Sequence, residues 1–68
     1  MKWKKIDPAN LPQDEVLASN GSSLLVGWLS RDRQNSMFGG EVKCEDEKDN
    51  RIRAEWYILA EDLLKPIQ

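Results

Sequence analysis

The run from Arg51 to Leu59 constrains this chain more than any other segment. Ile52, Ala54, Trp56 and Ile58 fall on one side of an extended backbone, and Arg51, Arg53, Glu55 and Tyr57 fall on the other. Regular alternation of this kind is the period of a half-buried β-strand and not of a helix.

Other strands follow from shorter patterns. Lys2 to Ile6 reads as a strand with Trp3 between Lys2 and Lys4. Asp7-Pro8-Ala9-Asn10-Leu11-Pro12 ends it, because two prolines oppose a helix and favour an extended or turning chain. Leu11 is expected to plug the core from this loop. Glu15 to Ser19 is the next strand, and Asn20-Gly21 is a strong hairpin signal. A two-residue turn there sets Leu17 opposite Leu24 and Val16 opposite Leu25 in the returning strand, Ser22 to Arg31. Leu24, Val26 and Trp28 alternate with Leu25, Gly27 and Leu29, so this strand reads as central, with apolar residues on both faces.

Arg31 to Gly40 reads as a loop anchored by Met37 and Phe38. Glu41 to Cys44 is a further strand, and Glu45 to Asn50 a polar hairpin loop. Ala60 to Leu64 reads as a short helix or turn, with Glu61 and Asp62 in its first turn and a stop at Lys65-Pro66. The expected fold is mostly β, of small α+β type. It is a single domain over residues 1–68, an antiparallel sheet of four or five strands with a short C-terminal helix or turn. Such a sheet can curl on itself or pair with a second copy, a homodimer. The lysines of the first strand and its short length protect an edge.

Composition narrows the function. A chain of 68 residues buries only about 60% of the surface its unfolded form exposes. Its single cysteine, Cys44, forms no internal disulfide and supplies too few ligands for zinc. No metal or cofactor is expected, and a free thiol suits a reducing, cytoplasmic setting. The absence of histidine removes the commonest acid/base and the nucleophile-activating group of hydrolase triads. The expectation is therefore a protein that is not an enzyme. Met1-Lys2-Trp3-Lys4-Lys5 has no apolar stretch behind it, so no signal peptide is expected, and Leu24 to Leu29 is too short to span a membrane. The net charge of −2, with the excess in the second half, argues against direct DNA binding.

Trp3, Leu11-Pro12, Val16-Leu17, the Gly27-Trp28 strand and Trp56 together resemble a family of short phage- and prophage-encoded proteins of unknown function. That family tends to close on a Thr-His-Trp segment, where this chain has Arg53-Ala54-Glu55-Trp56. Any role resting on that histidine does not transfer to Glu55. The resemblance implies a phage or mobile-element origin and a host-cytoplasm setting, and brings no activity with it.

Each candidate site has a structural reading beside its functional one. Trp3, Trp28 and Trp56 suit an interface, but on apolar alternating faces they are expected to fill the core. Arg31, Arg33, Arg51 and Arg53 with Tyr57 are the candidate binding residues, suited to a phosphate or an acidic partner. The alternative is a solvated face paired with Glu41 and Glu55 across strands. Glu45 to Asp49 lacks the spacing of a calcium loop and reads as a solvated turn. Cys44 is expected to be buried and inert. The leading expectation is a small phage-type accessory protein that binds a host or phage macromolecule, a protein partner first. Sequestration of a nucleotide signal as an anti-defence device is one alternative, and a minor structural or assembly part of a virion is another.

Overall fold

A computed structural model describes residues 2–63. Six strands and one helix occur among them: β1 (Lys4–Lys5), β2 (Val16–Ser19), β3 (Leu24–Arg31), β4 (Val42–Glu45), β5 (Arg51–Arg53), β6 (Trp56–Leu59) and α1 (Ala60–Leu63). The fold is mostly β, as the sequence implies, with one more strand than the alternation counts. The expected helix position Leu64 and the stop at Lys65-Pro66 lie outside the described residues.

The strands form one antiparallel sheet in the order β1-β6-β2-β3-β4-β5. β3 is central, flanked by β2 through its first half and by β4 through its second. The edges are two residues of lysine and the three residues Arg51–Arg53, both short and charged, which discourages edge-to-edge aggregation.

The sheet must curl. β5 and β6 stand four strand spacings apart, about 19 Å if the sheet were flat. Only Ala54 and Glu55 connect them, and Arg53 to Trp56 spans at most about 10 Å. The two ends of the sheet therefore approach each other at this connection. Its backbone serves both: Ala54 N–H donates to Val42 at 3.0 Å, and Glu55 N–H donates to Ser19 at 2.9 Å. Ile6 N–H in turn donates to the Glu55 carbonyl at 3.0 Å.

Residues paired across an antiparallel ladder share a face. Buried Val16 and Ala18 pair with Leu59 and Tyr57, and buried Cys44 pairs with Ile52 and Leu29. The inward set on the last two strands is thus Ile52 and Ala54, then Tyr57 and Leu59. The alternation slips by one residue at Ala54-Glu55, as at a bulge. This corrects the single continuous strand read from Arg51 to Leu59. Trp56 and Ile58 take the other face, where Ile58 is nevertheless buried at 4% exposure and Trp56 half-buried, and Tyr57 packs against the core.

The core is Val16, Ala18, Leu29, Val42, Cys44 and Ala54, with Ile6, Leu11, Leu25, Ile52, Tyr57 and Leu59 against it. It contains no tryptophan. A tightly curled sheet has little room on its concave side, so small side chains line the inside. The expectation that the tryptophans fill the core is overturned: Trp3 and Trp28 are exposed and Trp56 is half-buried. Leu11 does plug the core from its loop.

The β2–β3 turn also differs from the two-residue hairpin. Ser19 pairs with Leu24 and Leu17 with Val26, leaving a four-residue loop. The Asn20 side-chain oxygen accepts from the Ser22 and Ser23 amides, both at 2.9 Å, and this capping widens the turn. Gly21 keeps the positive φ the turn demands, 90°. The register moves by two residues, so every side chain keeps its face.

Cys44 is fully buried, and its thiol approaches the Leu25 carbonyl at 3.6 Å. Burial pushes its pKa up to about 11, with the Asp46 carboxylate adding to the shift. The native thiol is therefore expected to resist Ellman's reagent at pH 8 and to react fully in denaturant. Rapid native labelling would contradict this placement.

Candidate functional site

The arginines and Tyr57 do not converge. Arg51 and Arg53 point outward from β5, paired across the ladder with Glu45 and Lys43. Arg51 bonds Glu45 at 2.9 Å, and Arg53 reaches both Glu41 and Glu55 at 3.4 Å. Only the Arg51–Glu45 pair crosses the ladder, and each of these solvent-facing ion pairs is worth at most about 1 kcal/mol. Arg31 pairs with buried Val42 and so takes the opposite face, at the rim. Its guanidinium donates to the Gly40 carbonyl at 3.2 Å. Arg33 is exposed in the following loop. Tyr57 turns inward because of the slip at Ala54-Glu55.

A shallow cleft of about 410 Å³ opens where the sheet ends approach each other. Lys5, Arg31, Glu41, Glu55 and Trp56 line it, with Val42 and Ala54 also on its wall. Its charges are mixed.

The loop from Asp32 to Glu41 is held by Asp32. Phe38 N–H donates to its carboxylate at 2.6 Å, and Lys43 lies 3.7 Å away. Met37, expected as an anchor, is 73% exposed, whereas Phe38 is half-buried. Hydrogen bonds from Ser36 and from the Phe38 amide hold the Asp32 carboxyl below its ordinary pKa. Asn50 does the same for Asp46, and Asn10 for Asp7. Carboxyls lowered in this way contribute stability that is fully present above the ordinary value of about 3.9. That contribution is lost as pH falls through the lowered values. Thermal melts are expected to be flat from pH 7 to 5 and to fall below about pH 4, with a shallower fall in Asp32→Asn.

The acidic loop is a structured turn. Asp46 accepts from the Lys48 and Asn50 amides at 2.8 and 2.9 Å and from the Asn50 side chain at 3.0 Å. Among the described residues no group of three or more acidic or cysteine side chains is placed to hold a metal ion.

The largest departure from a sealed domain lies on the outer face. Trp3 is 42% exposed, Leu24 63%, Val26 47% and Trp28 39%. Leu24 and Val26 pair with Ser19 and Leu17, which pair in turn with Trp56 and Ile58. Of these, Leu24 and Val26 are exposed, Leu17 and Trp56 are half-buried and Ile58 is only 4% exposed, so the exposed apolar row lies on β3. Contiguous apolar exposure, unlike scattered single residues, marks interaction surfaces. Sequence periodicity missed this row because both faces of β3 are apolar. The signal available was Gly27, a residue that adds nothing to a face and permits close approach on its own side.

No helix among the described residues is long and apolar enough to cross a membrane. No protein-family model, curated protein or solved structure matches this chain.

Proposed function

We propose that this is a non-enzymatic binding protein whose working surface is the outer face of β3, and that its partner is a protein. The observation that carries this reading is the row Leu24, Val26 and Trp28, apolar side chains in solvent on a strand whose other face builds the core. A rigid sheet holds them, so little ordering is required on binding. Trp28 is of the residue type most enriched at interface hot spots. The reading fits a small accessory protein of the phage type that the sequence resembles, acting on a host or phage macromolecule. The ion pairs of Arg51 and Arg53, and the separation of Arg31 from Tyr57, give nucleotide sequestration less support.

The test compares affinity capture by wild type, Val26→Lys and Arg51→Ala/Arg53→Ala from lysate of the source cells. Proteins retained by wild type and by the arginine variant should be lost on Val26→Lys. Retention by Val26→Lys and loss on the arginine variant would move the surface to β5.

A further inference from the structure

We propose that the outer face of β3 takes a basic segment of its protein partner, with a lysine or arginine side chain lying against Trp28 between Glu15 and Glu47. This rests on the reading of that face as the working surface and names the chemistry of its occupant. Leu24, Val26 and Trp28 project from alternate positions of β3, and the two ends of this row differ. At the Trp28 end the face becomes acidic. Trp28 pairs with Glu45 in β4, and Glu15 stands one residue before Val16, the last β2 partner of β3. Val26, Trp28, Glu15 and Glu47 line one open cleft of about 360 Å³, together with Asp46 and Lys48 of the loop between β4 and β5.

Some of these carboxylates are already engaged. Arg51 holds Glu45 at 2.9 Å. Asp46 accepts from the Lys48 and Asn50 amides and from the Asn50 side chain, and the Lys48 charge acts on it as well. Glu15 and Glu47 remain. Both are exposed, and among the described residues neither forms an ion pair. Two unneutralised carboxylates beside an indole ring and the Val26 side chain suit a cation carried on an aliphatic stem. The ring face attracts the charge, the carboxylates pair with it, and the stem covers apolar surface. A bare metal ion would leave the apolar wall unused, and an acidic or phosphorylated segment would meet like charge. Val26 and Leu24 then take apolar side chains of the same segment. Alternate residues of an extended chain repeat about every 6.6 Å, the spacing of the row itself.

Nuclear magnetic resonance titration of the whole isotope-labelled chain tests this, read at the Trp28 indole N–H, the signal lost in Trp28→Phe. The probes are end-blocked Leu-Ser-Leu-Ser-Lys and Leu-Ser-Leu-Ser-Arg, which set two leucines and the cation on one side. Each should move the signal to saturation, with a dissociation constant on the order of 1 mM or tighter that weakens with added salt. The same peptide ending in glutamine or glutamate should bind at least about tenfold more weakly. Glu15→Gln/Glu47→Gln, folded by circular dichroism, should bind the lysine and arginine peptides no better than the glutamine one. A Trp28 signal unmoved by about 10 mM of either basic peptide would overturn the proposal. So would equal binding of the basic and glutamine peptides, or a Glu15→Gln/Glu47→Gln variant that binds like wild type. If any of these holds while Val26→Lys still loses captured proteins, only the basic character of the partner is wrong. If Val26→Lys neither weakens the peptides nor loses captured proteins, the working surface is wrong as well.

Discussion

Gly27→Ala is expected to cost this domain about 3 kcal/mol of stability. Gly27 pairs with Val16 at the last rung of the β2–β3 ladder, and the next residue, Trp28, pairs with Glu45 in β4. The central strand passes between partners here, and β4 comes in close. A Cβ on Gly27 would clash with the Glu45 carbonyl oxygen and stand 2.7 Å from its carbon. These are backbone atoms, and no side-chain rotation relieves the overlap. Asp46 N–H donates to Asn50 at 3.0 Å, which ties the clashing segment into its hairpin. The reason for glycine is thus room and not a left-handed backbone. Overpacking against backbone should cost about 3 kcal/mol. A domain of this length has roughly 3–10 kcal/mol in all. Urea denaturation followed by fluorescence checks this, and a variant within about 0.5 kcal/mol of wild type would place β4 farther from β3.

The second large effect is a contrast between two aromatic residues. Tyr57→Ala should cost about 2–3 kcal/mol, because its ring packs against the core opposite fully buried Ala18. Trp28→Ala should cost less, about 1 kcal/mol, because its side chain is 39% exposed and lies outside the core on the other side of the sheet. Uninterrupted alternation from Arg51 to Leu59 puts Tyr57 among solvated arginines, and the expectation that the tryptophans fill the core puts Trp28 inside, so together they predict the reverse order. A cost below about 1 kcal/mol at Tyr57 would show that the change of face at Ala54-Glu55 is wrong, and a larger cost at Trp28 would place its ring in the core.

The strands were legible because most carry period-2 patterns or sit beside turn residues. The sheet was legible too, since Asn20-Gly21 and the loop from Glu45 to Asn50 mark hairpins. The faces were harder. β3 has apolar residues at every position from Leu24 to Leu29 except Gly27, so periodicity could not choose a side. The slip at Ala54-Glu55 has no local signal. It arises because one stretch of chain must serve β4 with Ala54 and β2 with Glu55, a tertiary demand. The burial of Cys44 was legible from its place on one strand face with Val42. The candidate arginines were legible as exposed charges, and their pairing with Glu41, Glu45 and Glu55 depends on register.

The claim at the centre of this account is that the Leu24-Val26-Trp28 face is surface and not core. The most direct measurement is the melting temperature of Val26→Lys. Lysine placed on an exposed strand position should shift stability by no more than about 0.5 kcal/mol, which is roughly 4 °C or less for a domain this small. A cooperative melt within that range is the predicted result. A variant that is unfolded, or that melts tens of degrees lower, would mean that Val26 is buried within the folded chain.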